Sequence, residues 1–405
     1  MAHYVFIYPQ IKRLTGAQRL ILALAGAIEQ LPEHPAHITL LTHHFAAECR
    51  PALPGEVSLI ETGRNLNLTG NHYLDSLTEY ASIPFLLPHL PVDTSAICFF
   101  GPPSLPGLWW ARKILRLKLP LLYFCYEPPR AAYTDTREVS RRMGKLGLLA
   151  QPFFRLYRPV DRYLAQQSDV VLVNGEYGQK LIRETYERLS TIITHGAELE
   201  IPDDICRKAA LVRERFALAD RPVIITVNHL HPRKRIDVLI RAMPAILAEH
   251  PDTALLIVGK GPEEAALRTL SEELGLNDKQ VIFAGFVPDA ELAAYYAAST
   301  LYAHSGRAET FGLSILEASM SGLPVVAANE GGPREILEDG QTGFLIDAIP
   351  ANFASKINWL LAHPEEMKKM GQANASRVKQ KYTWERGAQN FLEALYYPAK
   401  APQSS

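Results

Sequence analysis

The chain has 405 residues, 47% of them apolar and 21% charged. That is an ordinary globular composition on a chain too long for one core, so two domains are expected. The net charge of -1 excludes a polycationic nucleic-acid binder, but it hides a basic first half (residues 1–196, balance +4) and an acidic remainder (balance -5).

The four cysteines, Cys49, Cys98, Cys125 and Cys206, are scattered, with no CxxC pair and no histidine cluster at metal spacing. They imply a reducing compartment and no structural zinc, and no cofactor is expected. The first residues lack a charged leader and a cleavage site, and no uncharged stretch reaches membrane-span length without prolines. The expected location is cytoplasmic.

Short apolar, β-branched runs alternate with helical patterns along the whole chain. In the first half they are 4–8, 37–42, 57–61, 96–100, 121–126, 169–173 and 191–194. The second half repeats the plan with 222–227, 254–258, 280–284, 301–304 and 324–328, and with helical stretches such as 236–249 and 262–274. Near-continuous apolar strands joined by helices predict α/β domains with parallel sheets covered on both faces. Two such sets predict two doubly wound, Rossmann-like domains, with the change near 195–204 and the site in the cleft between them.

After the first strand, Thr15 and Gln18 have capping-box spacing, and Leu20, Leu24, Ile28 and Leu31 form one apolar face. Gly16 falls at that helix start, where it either bares backbone N–H groups to a ligand or merely shapes the turn. No GxGxxG fingerprint is present, which argues against a nicotinamide or flavin enzyme. "GKGPEE" (259–264) looks like a phosphate loop, but Pro262 at a helix start followed by two acids is ordinary punctuation.

The stretch "GRAETFGLSILEAS" (306–319) raises a sharper question, because it carries Glu309 and Glu317 eight positions apart. A strand at 301–304 and a helix at 312–321 place Gly312 and Leu313 in the first helical turn, an anion site suited to a pyrophosphate. Glu309 lies ahead of that site and Glu317 about 7 Å along the helix axis beyond it. A sugar nucleotide has the matching layout of nucleoside, diphosphate and sugar. Two acids near a helix start also fit simple dipole compensation.

Residues 309–346 ("ETFGLSILEASMSGLPVVAANEGGPREILEDGQTGFLI") resemble the signature of the family-4 retaining glycosyltransferases, which have the GT-B fold of two facing Rossmann-like domains. The resemblance covers nearly the whole chain: "FCYEPPR" (124–130), "VNHLHPRKRIDVLIRAM" (227–243), "GFVPDAELAAYYAAS" (285–299) and "YTWERGAQNFLEALYYP" (382–398) match in order and spacing. It implies an acceptor-binding domain over 1–196, rejoined by a closing helix at about 383–398, and a donor-binding domain over 197–382. It also implies that Glu309 holds the transferred sugar, Glu317 the ribose, and Gly312 with Leu313 the phosphates, with Phe311 a further donor-binding residue. Arg233 and Lys234 would neutralise the diphosphate, while Phe286 and Val287 would flank the base.

Two positions depart from the family pattern. His229 stands beside the diphosphate where many members have Arg, and Tyr126 stands near the sugar where many have His. Both side chains can still donate a hydrogen bond. Lys234 also fits a solvated basic turn, and Tyr126 an aromatic core position. The expectation is therefore a retaining hexosyltransferase with Glu309, Lys234 and Tyr126 at its chemistry, moving mannose or glucose from GDP-mannose or a UDP-hexose. A catalytically silent relative is the alternative.

From 137 to 162, seven basic residues (Arg137, Arg141, Arg142, Lys145, Arg155, Arg158, Arg162) outnumber Glu138 and Asp161, with Leu146, Leu148, Leu149, Phe153, Phe154 and Tyr157 interleaved. Such a mixture fits either a solvated helix face or peripheral contact with anionic lipid on the inner face of a membrane. The second case points to a lipid-linked acceptor.

Overall fold

The computed structural model describes residues 1–64, 78–129, 133, 147–197 and 199–397, with side chains from 155 onward in the helix Gly147–Ala165. Arg137, Glu138, Arg141, Arg142, Lys145 and Leu146, and the side chains of Leu148, Leu149, Phe153 and Phe154, lie outside the described set. The chain divides into two compact units: Met1–Gly196 with Trp384 onward, and Ala197–Thr383.

The first unit holds a seven-stranded sheet built from β1 (Ala2–Ile7), β3 (Ala36–Thr42), β5 (Ser58–Glu61), β6 (Ala96–Phe100), β7 (Leu121–Phe124), β8 (Val170–Val173) and β9 (Thr191–Ile192). Its order is β5-β3-β1-β6-β7-β8-β9, and every pairing is parallel. The short strands β2 (Gln10–Ile11) and β4 (His44–Phe45) pair separately.

Period-two alternation explains why these strands read as continuous apolar runs. All of β6 is buried, yet Ala96, Cys98 and Phe100 face one core cluster while Ile97 and Phe99 face the other. Helix Gly16–Glu29 lays Leu20, Leu24 and Ile28 into the first cluster, and Gln18 Oε1 accepts from the Thr15 N–H at 3.1 Å as capping-box spacing predicts. Helix Trp384–Tyr396 packs on the same face through Ala388, Phe391 and Leu392, with the Phe391 ring 5.5 Å from that of Phe6. Full burial of one such ring stabilises by roughly 1.5–3 kcal/mol, which anchors this late segment to the first unit.

The second unit holds β10 (Val223–Val227), β11 (Ala254–Val258), β12 (Val281–Gly285), β13 (Leu301–His304), β14 (Val325–Ala328) and β15 (Gly343–Ile346). Its parallel sheet runs β12-β11-β10-β13-β14-β15, the 3-2-1-4-5-6 order of a doubly wound domain. The strand order reverses between β10 and β13. Ligands of such sheets bind outside the carboxyl ends of the strands at that reversal.

Most expected strands appear within a residue or two. β15 was not expected, because "GFLI" is short and sits in a polar, glycine-bearing context. The expected helix 312–321 runs from Leu313 to Met320, and Gly312 precedes it as the N-cap with φ of 109°. That left-handed angle is one only glycine adopts freely. Among the described residues no helix is long and apolar enough to cross a membrane.

Candidate functional site

The loop leaving β10 (228–235) and the loop leaving β13 (305–312) flank the strand-order reversal of the second unit. They are stitched together by their backbones. Ser305 Oγ donates to the carbonyls of Lys234 (3.0 Å) and Arg235 (2.8 Å), and the Arg307 N–H donates to the Arg233 carbonyl at 2.9 Å. This seam aims Lys234 at Glu309, and Lys234 Nζ donates to Glu309 Oε2.

Both side chains are mostly buried, at 14% and 13% exposure. Burial alone would raise the Glu309 carboxyl above its ordinary value, but the positive charge of Lys234, with His304 and Arg233 behind it, outweighs burial and holds it at about 2. Glu309 is therefore ionised across the physiological range. A cation and an anion stand fixed where the fold places ligands.

A third loop fixes the far side of Glu309. The Gly332 N–H donates to the Glu309 carbonyl at 2.8 Å. A Cβ on Gly332 would fall 1.9 Å from the Phe311 carbonyl oxygen, and one on Gly331 2.3 Å from that of Glu309. Only glycine permits this approach. The glycines of "GKGPEE" serve the same end: a Cβ on Gly259 or Gly261 would collide with the carbonyl oxygens of Asn228 or Leu230.

Beyond Gly312 the helix Leu313–Met320 begins, and its first N–H groups point back along the axis toward the Glu309 loop. Glu317 lies on that helix at 7% exposure, and its Oε2 accepts from Tyr296 Oη at 2.9 Å. The carboxylate is thus turned by a tyrosine from the helix Asp289–Ala297.

The remaining expected site residues divide. His229 is exposed, with its ring 6.4 Å from that of His231, and Phe286 is 70% exposed. Val287 and Phe311 turn their side chains into the core of the second unit, at 5% and 4% exposure, so it is their backbones that a ligand would meet. Tyr126 and Gly16 belong to the first unit. The Tyr126 ring packs 5.4 Å from Phe124 and 6.4 Å from Phe100, and its hydroxyl is buried with no hydrogen-bond partner among the described residues. Burial holds that hydroxyl protonated, far above the ordinary tyrosine range.

Sequence reasoning missed Ser305, Tyr296, Gly331 and Gly332, and it missed His304 beneath Glu309. The Gly-Gly pair ahead of Pro333 was a visible signal, because two adjacent glycines between a strand and a helix mark close backbone approach.

Residues 210–377 match the family described as Glycosyl transferases group 1. An Anabaena protein, HepE, solved in complex with UDP and glucose, superposes with a TM-score of 0.71 over 98% of this chain and 100% of that one, at 21% identity. A sucrose-phosphate synthase from Thermosynechococcus elongatus superposes with a TM-score of 0.70 over 98% of both chains. The fold is GT-B. A GDP-mannose-dependent alpha-(1-6)-phosphatidylinositol monomannoside mannosyltransferase of Mycolicibacterium smegmatis is 38% identical over 255 residues, 60% of this GT-B chain and 66% of that protein. A D-inositol 3-phosphate glycosyltransferase of Segniliparus rotundus is 33% identical over 239 residues, 56% and 52% of the two chains. The chain spans just under two thirds of the length of the first of these relatives and about half of the second.

Proposed function

We propose that this protein is a family-4 retaining glycosyltransferase that moves a hexose from a nucleoside diphosphate sugar to a glycan or lipid-linked acceptor. The observation that carries the reading is the Lys234–Glu309 pair at the strand-order reversal, backed by the amino end of the helix Leu313–Met320. A diphosphate fits Lys234 and the helix N–H groups, since both offer positive charge to an anion. Glu309, ionised and fixed, is suited to the hydroxyls of the transferred sugar. Glu317, oriented by Tyr296, is suited to the ribose diol.

In the proposed reaction the bond from the anomeric carbon to the departing phosphate breaks, and a bond to the acceptor oxygen forms on the same face. The acceptor proton passes to the departing phosphate oxygen. Lys234 and Arg233 stabilise the charge on the leaving group, and Glu309 steadies the oxocarbenium-like sugar. The residues assigned here need no cofactor and no metal. GDP-mannose is the favoured donor, because the relative at 38% identity is GDP-mannose-dependent. UDP-hexoses are the competing class.

The reading is tested by incubating the protein with GDP-mannose and UDP-glucose and measuring nucleoside diphosphate release, with and without candidate acceptors. Acceptor-stimulated release from one donor is the expected result. Binding of both donors without release under any acceptor would make it a catalytically silent relative.

A further inference from the structure

β13 ends in a histidine to which the proposed reaction assigns no role. His304 has no solvent exposure, and neither ring nitrogen has a hydrogen-bond partner among the described residues. Buried polar groups are nearly always paired, so an orphan at this position demands a physical reason.

Three neighbours define the ring's surroundings. Tyr302 stacks on it with centroids 6.3 Å apart and planes 18° apart. Gly306 passes close against Nε2: a Cβ there would lie 2.6 Å from that nitrogen, whereas the backbone at 306 is not left-handed and does not itself call for glycine. Glu309 Oε2 lies 3.7 Å from Nε2, just outside hydrogen-bonding range, and it is the same oxygen that Lys234 holds. The charged groups facing the ring are Lys234 and Arg233 from the loop after β10 and Glu309 from its own loop. Burial, with Lys234 beside it, pushes the ring down to about 4, so it is neutral and carries one N–H.

The next step rests on the function proposed above. A bound diphosphate competes with Glu309 for the ammonium of Lys234. Once Lys234 turns to the phosphates, the Glu309 carboxylate stands mostly buried without its cation. We propose that His304 is the reserve partner of Glu309, its Nε2–H donating to Oε2 when Lys234 is drawn to the diphosphate. Closing the gap to an ordinary hydrogen bond needs a shift of about 0.8 Å. A neutral donor suits the task, because it orients the carboxylate while leaving its full negative charge for the sugar. His304 acts through Glu309 and is a positioning residue.

The test compares His304→Phe, which keeps the ring volume but has no donor, with His304→Gln, whose amide reaches about as far as Nε2. Free GDP and UDP binding is measured by titration calorimetry, and turnover is measured with GDP-mannose and UDP-glucose. The inference expects nucleotide binding within about threefold of wild type in both variants, kcat lowered about tenfold in His304→Phe, and substantial recovery in His304→Gln. Unchanged kcat in His304→Phe, or no advantage of Gln over Phe, overturns it while the glycosyltransferase reading stands. Wild type inert toward every sugar nucleotide sinks both together. Should His304→Phe fail to fold, Gly306→Ala, whose Cβ collides with Nε2 and must push the ring away from Glu309, should reproduce the kcat loss; normal kcat in that folded variant overturns the inference equally.

Discussion

Lys234 and Glu309 are 75 positions apart in sequence, yet the ammonium of one donates to the carboxylate of the other at the carboxyl edge of β10 and β13. Neither loop makes this pair alone. Ser305 and the Arg307 N–H bind the loops together, and Gly331 and Gly332 admit a third loop behind them.

Because both charges are mostly buried, removing one partner should hurt more than removing both. Lys234→Met leaves a dehydrated carboxylate without its cation, which costs roughly 3–5 kcal/mol. The Lys234→Met/Glu309→Leu double variant should be far closer to wild type than the sum of the single losses. Urea unfolding of the four proteins gives the coupling directly. Additive losses would mean that the two side chains do not depend on each other.

Acid should weaken the second unit in two steps of the same sign. His304 is depressed from 6.5 to about 4, so between those values the unfolded chain binds a proton that the folded one refuses, and stability falls as pH drops. Glu309 is depressed from 4.5 to about 2; its contribution is complete above 4.5 and is lost as pH falls toward 2. Calorimetric melting between pH 7 and 4 should show a falling Tm in wild type and a flatter profile in His304→Phe. Parallel profiles would mean that His304 is not the titrating group.

The doubly wound sheets were legible because a strand buried on both faces must be apolar throughout, as "AICFF" and "ALLIV" are. Glu309, Lys234 and Glu317 were legible through a motif whose order survives in sequence. What sequence concealed was contact between loops. Nothing local to Val287 or Phe311 says that their side chains turn inward, and nothing local to His304 says that a carboxylate from five residues later folds over it. Those outcomes depend on how each loop packs on the rest of the second unit, a tertiary fact.

The two acids should separate in binding experiments. Glu317→Ala removes the group proposed to hold the ribose, so it should weaken binding of free nucleoside diphosphate and intact donor alike. Glu309→Ala should leave the free nucleotide nearly untouched and depress kcat, because its proposed partner is the sugar. Tyr296→Phe, which deletes the hydrogen bond that turns Glu317, should follow Glu317→Ala at smaller amplitude, about fivefold in affinity. Titration calorimetry with GDP and UDP decides it. Equal losses for Glu309→Ala and Glu317→Ala would end the division of labour.

The helix Gly147–Ala165 carries the remaining prediction, peripheral binding to anionic membranes. Leu156, Val160 and Tyr163 are 74%, 53% and 48% exposed, and their spacing places them on one helical face. Arg155 is exposed beside that face, while Arg158 and Arg162 turn away from it, Arg158 over the Tyr133 ring and Arg162 donating to Glu187 at 2.8 Å, and Asp161 is tied inward, accepting from Tyr133, Tyr157 and Tyr186. A basic residue near an anionic surface contributes about 1 kcal/mol, and each apolar side chain that enters the interface adds a comparable amount. The protein should therefore sediment with phosphatidylglycerol vesicles at low salt, progressively less as salt rises, and much less with phosphatidylcholine at any salt. Leu156→Ser/Val160→Ser should reduce sedimentation about tenfold while leaving the melting temperature within a degree or two, since both side chains are exposed. Protein that stays in the supernatant at low salt would mean that this face is simply solvated, and the acceptor would then be sought among soluble glycans.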